Sequence, residues 1–398
     1  MLADGEFRAL WLAHLFSLAG DQISRVALSV LVYERTGSTT VTALSYAMSY
    51  LPWIIGGPLL SGLADRWPRR TVMLVADLLR AGLVLGAALS SAASVPLAVP
   101  LGLIFLSAFC TPPFSAARAA LIPTILIGDR YVVASALGGI TQQAAQVLGF
   151  AGGGALVAAV GSRPGMALNA ASFIASAALI RYGVRPRPSA LASSRAGRPG
   201  PGATWRSDLM AGSRLIVTDP FLRTLVLLAL LATFLVVPEG LAAPVAAATG
   251  GGPAAVGLLL AAMPCGTVVG GLLVARLVPA DRRRGWIAPL AIVAGLPLIV
   301  GLTQPGLAVT ALCWTLCGLL TAYQLPANTA FAVAVPDRHR GQAMGVVQTG
   351  LAVGQGLGLL GAGILADRFG PTTVIAGSGL VATGLAVLIV LTGPRLAP

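Results

Sequence analysis

Lysine is absent from this sequence of 398 residues, and all 26 basic residues are Arg. The phosphate-binding loop of a Walker A ATPase needs a Lys, so the chain cannot be such an ATPase by itself. Charge is also scarce, because 10% of the residues are charged, whereas a soluble globular chain has about 25%. Hydrophobic residues make up 56%, and the mean hydropathy is +0.87. These values exclude an ordinary soluble protein and indicate a chain whose main solvent is lipid.

Cysteine is rare as well, and its four positions lie in apolar stretches without the spacing of a metal or redox motif. Such Cys residues behave as small buried hydrophobes. We therefore expect no metal, no cofactor and no covalent chemistry, so the chain is not predicted to be an enzyme. The start of the chain carries Asp4 and Glu6 and lacks the basic region of a cleaved signal peptide. The first apolar segment is expected to stay in the protein.

About twelve apolar segments follow one another along the chain, each near the ~20 residues that cross a bilayer core. Short stretches of Gly, Pro and charge separate them. The segments are Leu10–Tyr33, Val41–Leu63, Thr71–Leu89, Leu97–Ala117, Val132–Val160, Met166–Ile180, Leu222–Ala246, Val256–Val278, Trp286–Leu302, Leu307–Ala334, Ala343–Ala366 and Val374–Leu391. The predicted fold is an all-α membrane protein with about twelve transmembrane helices.

The net charge of +13 would favour nucleic acid as the partner of a soluble chain, but the positions of the Arg residues favour another explanation. Most of them fall on one side of the predicted helices, and only Arg35, Arg163 and Arg368 fall on the other. Basic residues collect on the cytoplasmic side of membrane proteins. Both termini are therefore predicted to be cytoplasmic, in a multi-pass protein of the cytoplasmic (inner) membrane, and no nucleic-acid partner is expected.

A long polar stretch between the sixth and seventh segments divides the chain into three parts. These are an N-terminal six-helix bundle at 1–181, a cytoplasmic central loop at 182–218 and a C-terminal six-helix bundle at 219–398. Within the loop, 205–217 reads either as a short amphipathic helix on the membrane surface or as part of a disordered linker. Similar Gly and Gln patterns in the two bundles favour a duplicated, pseudo-symmetric architecture with a substrate site between the halves.

The loop after the second segment carries a motif, Gly62-Leu63-Ala64-Asp65-Arg66-Trp67-Pro68-Arg69-Arg70. It resembles motif A of the major facilitator superfamily, which lies between helices two and three. Phe7 to Trp11, Gly20-Asp21 and Tyr33 to Gly37 are similar to the branch with macrolide, multidrug and enterobactin exporters. This resemblance implies a gating motif of Gly62, Asp65, Arg66, Arg69 and Arg70, with Asp65 meeting the N-terminus of helix eleven near 341–344. A Gly motif typical of exporters is only partial here, with Ala145 and Phe150 at two of its positions.

Ionisable residues inside predicted helices are the first candidates for coupling, because charge in the hydrocarbon region is expensive. Asp21 and Arg25 share a helix face; Asp21 either carries a proton or balances a cation, or it forms a structural pair with Arg25. Glu239 follows Pro238 with no basic residue near it in sequence. It is a candidate for proton coupling or substrate contact, unless it lies in the wet outer mouth.

Uncharged polar and aromatic residues share helix faces that line the central cavity in the resembled family. They are Tyr46, Tyr50, Trp53, Gln142, Gln146, Gln324, Asn328, Gln348 and Gln355. A large apolar pocket with scattered amides and aromatics suits bulky amphipathic molecules. The alternative is that these residues hydrogen-bond neighbouring helices to one another.

The leading hypothesis is a secondary transporter that exports amphipathic small molecules (drugs, secondary metabolites or siderophores) by alternating access, coupled to protons and working as a monomer in the lipid bilayer. One alternative is an uptake or facilitative permease for a small nutrient. Another, from a different class, is a non-transporting receptor or the permease subunit of an ATP-driven system.

Overall fold

A computed structural model describes residues 4–52, 67–126, 128–187, 213–336 and 339–394. These residues form α-helices joined by short turns and 3₁₀ segments, which agrees with the predicted all-α fold. The helices used below are α1 (Gly5–Thr36), α2 (Thr39–Ala47), α3 (Arg69–Ser90), α4 (Ala98–Ala108), α5 (Thr111–Ile125), α6 (Asp129–Val160), α7 (Ser162–Gly183), α8 (Pro220–Leu230), α9 (Ala232–Leu235), α10 (Val237–Gly240), α11 (Ala242–Ala248), α12 (Pro253–Leu277), α13 (Ile287–Val293), α14 (Leu296–Ile299), α15 (Leu307–Leu320), α16 (Gln324–Ala334), α17 (Arg340–Phe369) and α18 (Pro371–Thr392).

Long apolar runs dominate these helices. Lipid offers no hydrogen bonds to the backbone, and a helix is stable there because it satisfies its backbone groups internally. Among the described residues, 10 helical spans are long and apolar enough to cross a membrane. A further helix, α7, is 22 residues long. The second predicted segment is described only as far as residue 52, and much of the predicted central loop, 188–212, lies outside the described residues. Within the loop, 213–218 is helical.

Polar side chains fix where several helices begin. Asp219 accepts hydrogen bonds from the amides of Phe221 and Leu222 at 2.8 and 3.2 Å, and Pro220 occupies the first helical position of α8. Ser38 accepts from the amide of Val41 at 3.3 Å, at the start of α2. These caps satisfy amides that a helix N-terminus leaves unpaired.

The chain divides into two compact units. The first comprises Met1–Thr36, Leu51–Arg198 and Gly252–Gly257, and the second comprises Gly37–Tyr50, Pro199–Gly251 and Leu258–Pro398. The units therefore do not follow the sequence order strictly. Residues 37–50 belong to the second unit although the residues on both sides of them belong to the first, and 252–257 belong to the first unit although their neighbours belong to the second. The bundle boundaries at 1–181 and 219–398 stay a prediction.

In the first unit, α1 packs against α6 and α7, and α3 packs against α4, α5 and α7. One core cluster is built from buried side chains of these helices, including Phe7, Leu10, Met73, Phe114 and Ile180. Gly154 of α6 lies so close to Gly257 of α12 that a Cβ at Gly154 would stand 2.6 Å from the Cα of Gly257. Small residues permit this backbone approach.

In the second unit, α2 packs on α17, and α17 packs on α18. The seventh predicted segment, Leu222–Ala246, is not one continuous helix, since it consists of the consecutive short helices α8, α9, α10 and α11. Pro238 lies in α10 and Pro244 in α11. Proline removes a backbone donor and clashes with the preceding turn, which explains why the helix is interrupted here.

The fourth predicted segment extends further than the sequence indicated. It continues through α5 to Ile125, so Arg118 lies within that helix and the predicted end at Ala117 is wrong. Thr111, Pro112 and Pro113 start α5 and separate it from α4, because prolines suit the first turn of a helix.

Candidate functional site

Glu239 occupies the interrupted part of the seventh segment, in α10. Its carboxylate Oε2 accepts a hydrogen bond from the hydroxyl of Tyr46 on α2, with an O–O distance of 2.6 Å. Tyr46 is 3% exposed, whereas Glu239 is half-buried. A carboxylate and a phenol in such contact form a hydrogen bond in either protonation state of the acid, because the phenol both donates and accepts.

The surroundings of this pair are apolar and aromatic. The ring centroid of Tyr50 is 6.4 Å from that of Tyr46. A Cβ at Gly240 would meet the side chain of Leu359, so α10 lies close to α17. Two predicted site residues, Tyr46 and Glu239, are therefore brought together in one unit, and Tyr50 stands beside them.

A second group of ionisable side chains lies in the first unit and centres on Arg80 of α3. Its guanidinium donates to Asp21 Oδ2 at 2.6 Å and to Ser17 Oγ at 3.1 Å, both on α1. A carboxylate oxygen of Asp77 is 3.6 Å away. The Arg80 side chain also lies 4.0 Å from the ring centroid of Phe173 on α7. We call Asp21, Asp77 and Arg80, with Ser17 and Ser176, the Arg80 cluster.

This cluster changes the interpretation of Asp21. The sequence predicted either a functional role or a pair with Arg25 in the same helix, and neither Asp77 nor Arg80 was among its candidates. In the structure, Arg80 contacts both carboxylates. It lies eleven residues into α3, about 17 Å from the helix start at 1.5 Å per residue, and therefore near the middle of a helix of 22 residues. A cation at the centre of an apolar helix was the signal that should have included Arg80 among the candidates.

The remaining predicted cavity residues differ in exposure. Gln142, Gln146, Gln324 and Gln355 are half-buried, Asn328 and Gln348 are exposed, and Trp53 lies outside the described residues. Their role in lining a substrate cavity stays a prediction.

The predicted gating motif is described only in part, since Gly62, Asp65 and Arg66 fall outside the described residues. Arg69 donates to the carbonyl of Ala120 at 2.8 Å. Arg70 donates to the carbonyls of Ile180 and Arg181, the first at 3.4 Å. The carbonyls of Ile180 and Arg181 belong to the last turn of α7, where a cation interacts favourably with the helix dipole.

One acidic residue that sequence reasoning missed is Asp367, in the last turn of α17. Its two carboxylate oxygens accept hydrogen bonds from the hydroxyls of Ser38, Thr39 and Thr40. The backbone amides of Thr39 and Thr40 donate to it as well. A signal was present in the sequence, because Leu-Ala-Asp-Arg of the gating motif, at 63–66, recurs at 365–368.

Within the part of the chain that the structure describes, no three His, Cys, Asp or Glu side chains form a group that could hold a metal ion.

The helical architecture is that of the major facilitator superfamily, a class of polytopic membrane transporters. The solved nucleoside transporter NupG is similar in fold with a TM-score of 0.76 at 13% sequence identity, over 97% of this chain and 98% of that one. Within that class, the chain belongs to the transmembrane secretion effector family, whose model matches residues 1–396. The family resemblance predicted from the loop motif is confirmed.

Two curated relatives are similar over nearly the whole chain. The enterobactin exporter EntS of Salmonella choleraesuis is 27% identical over 392 residues, which are 97% of this chain and 92% of that protein. The multidrug efflux pump Tap of Mycobacterium tuberculosis is 28% identical over 390 residues, which are 94% of this chain and 91% of that protein.

Proposed function

We propose that this protein exports amphipathic small molecules across the cytoplasmic (inner) membrane in exchange for protons, with both termini in the cytoplasm. Membership of the secretion effector family and similarity to proteins named as an enterobactin exporter and a multidrug efflux pump support export. The excess of Arg on one side of the predicted helices supports the orientation. The sequence predicts both six-helix halves of a transporter in this chain, so we propose that it works as a monomer.

The observation that carries the proton-coupled part is the contact between Glu239 and Tyr46. Glu239 is half-buried, and its carboxylate lies against the buried Tyr46. Removal from water favours the neutral form of a carboxylic acid. The Tyr46 hydroxyl at 2.6 Å stabilises the ionised form by donating to it, and it accepts from the protonated form. Such a pair supports reversible protonation with little rearrangement.

The interruption of the helix around Glu239 supports a role in transport. Discontinuous helices form substrate and ion sites in transporters, because their free backbone groups face the cavity. The predicted seventh helix, which contains Glu239, is divided into the short helices α8 to α11. Protonation of Glu239 would weaken its bond to Tyr46 from a charge-assisted to a neutral one. That difference changes the relative stability of two transporter conformations.

The proposed substrate class rests on side chains of the second unit. Tyr46 and Tyr50 offer aromatic surface, and the half-buried amides of Gln324 and Gln355 can offer a few hydrogen bonds. A sugar or a phosphate compound would need denser hydrogen bonding or paired Arg residues. A bulky amphipathic molecule needs mainly apolar surface with a small number of polar contacts.

Everted membrane vesicles containing the protein test the proposal. An interior-acid gradient should drive accumulation of a fluorescent amphipathic dye, and a protonophore should abolish it while ATP remains. Glu239→Gln should reduce gradient-driven accumulation about tenfold or more, with dye exchange in the absence of a gradient retained. The matched control is Glu34→Gln, because Glu34 is exposed at the end of α1.

Three outcomes would contradict parts of the proposal. Full gradient-driven transport by Glu239→Gln would reject Glu239 as the coupling residue and transfer that role to Asp21. Dye movement in the opposite direction would indicate uptake. Loss of transport on ATP depletion with the gradient intact would indicate an ATP-driven system.

A further inference from the structure

The Arg80 cluster contains two carboxylates but one guanidinium in direct contact with them. Asp77 is 0% exposed and Arg80 is 3% exposed, whereas the side chain of Asp21 is 29% exposed. Burying a charge costs several kcal/mol unless a partner and hydrogen bonds compensate for it. The stability of each ionised carboxylate therefore depends on how close its cation is and on the hydrogen bonds that it accepts.

The ionised form of Asp21 is the better stabilised of the two. Arg80 donates to its Oδ2 at 2.6 Å, a short charge-assisted hydrogen bond, and its partial exposure leaves it some hydration. The ionised form of Asp77 is stabilised less. Its Oδ1 is 3.6 Å from Arg80 and makes no hydrogen bond to any described residue, and its Oδ2 accepts from Ser176 at 2.6 Å. An ionised Asp77 would thus be a fully buried anion with one neutral hydrogen bond and a distant cation.

The geometry points to Asp77 as a proton-binding site of this protein, occupied while Arg80 pairs with Asp21 and emptied when Arg80 turns to Asp77. A proton on Oδ2 is donated to Ser176, whose hydroxyl accepts as well as donates. On release, the proton passes to water and leaves a carboxylate that the freed guanidinium neutralises.

Among the residues that the structure describes, Arg80 is the one cation that acts on Asp77. Cys110, between α4 and α5, lies within electrostatic range of Asp77 and Arg80. His14 of α1 lies within range of Arg80 and of Arg118 on α5. On α7, the charged residues Arg163 and Arg181 stand near the two helix ends, whereas Ser176 faces Asp77.

The partial exposure of Asp21 suggests how this proton site is coupled to substrate. A cationic substrate group or a proton that binds Asp21 competes with Arg80 and releases it toward Asp77, which then gives up its proton. This step rests on the exchange of substrate for protons proposed above, whereas proton binding at Asp77 does not.

Infrared difference spectroscopy of the full chain in liposomes, without substrate or gradient, tests the site directly. A protonated carboxyl group has a C=O stretching band that ionisation removes, so the band can be titrated with pH. The band should be lost in Asp77→Asn and kept in the matched control Asp281→Asn, because Asp281 is exposed. In Asp21→Asn, Arg80 is free to pair with Asp77, and the midpoint should move to lower pH by about one unit or more.

Two results would overturn the inference. Persistence of the same band in Asp77→Asn would assign the proton elsewhere, and an unmoved midpoint in Asp21→Asn would show that Arg80 does not connect the two acids. If Asp77→Asn fails to insert, Asp77→Glu replaces it, and a band unchanged in frequency would equally reject Asp77. Failure of the dye transport assay with the band intact would reject the proposed coupling and leave the proton site in place.

Discussion

Asp367 holds the N-terminus of the helix that begins at Thr39, 328 residues earlier in the chain. Its Oδ1 accepts from the backbone amide of Thr39 at 2.8 Å and from the hydroxyl of the same residue. Its Oδ2 accepts from the amide of Thr40 at 3.2 Å. A carboxylate at this position satisfies unpaired amides and interacts favourably with the helix dipole.

Asp367→Asn should loosen the packing of α2 against α17. The loss of charge at an exposed helix N-terminus costs about 0.5–1 kcal/mol, which corresponds to a two- to fivefold change in a conformational equilibrium. In a background without the four native Cys, a Cys at the buried Ser45 should react about two to five times faster with an impermeant maleimide. Arg368→Gln is the control, because it removes the adjacent exposed charge. Equal reaction rates in the two variants would show that the Asp367 contacts do not hold α2.

The sequence predicted the fold but not the contact between Asp367 and α2. Apolar length, the positions of Arg and the loop motif predicted the fold and the family, because lipid imposes strict length and polarity rules on each helix. The same reasoning assigned Asp65 to a helix N-terminus, and that role stays a prediction. It missed Asp367, although Leu-Ala-Asp-Arg occurs at both places. Which helix end a carboxylate meets depends on packing between distant segments, and no local pattern encodes it.

Gly154→Val should destabilise the first unit by about 2–3 kcal/mol. A Cβ at this position would stand 2.6 Å from the Cα of Gly257 and 3.0 Å from the carbonyl of Pro253, and neither backbone atom can move without shifting α12. Gly152→Val is a matched control two residues away, since a Cβ there meets nothing within 4 Å. The thermal unfolding midpoint of purified protein measures the difference. Identical midpoints would mean that α6 and α12 do not approach this closely.

Arg70→Gln should destabilise the C-terminal end of α7 by about 1 kcal/mol. The guanidinium donates to the carbonyls of Ile180 and Arg181 at the negative end of the helix dipole, and the first of these carbonyls also accepts from the amide of Val184. Backbone amide hydrogen exchange in the last turn of α7 should become about fivefold faster. Arg276→Gln is the comparison, because Arg276 is an exposed Arg in the last turn of α12. Unchanged exchange in Arg70→Gln would leave this motif residue with no local role in holding α7.

Arg80→Gln should be among the most damaging single changes in the first unit, because it leaves Asp21 without its cation and removes the guanidinium that would neutralise an ionised Asp77. Removing one partner of a buried ion pair costs about 3–5 kcal/mol. Asp21→Asn together with Arg80→Gln should recover part of this loss, at least about 1 kcal/mol, since the double variant no longer contains the unpaired Asp21. The test is a double-mutant cycle on the thermal midpoint and on the amount of protein inserted in membranes. The parallel cycle with Asp21→Asn and Arg25→Gln examines the pairing predicted from the sequence. Recovery with Arg25→Gln but not with Arg80→Gln would return Asp21 to its neighbour in α1 and remove the basis for a shared guanidinium.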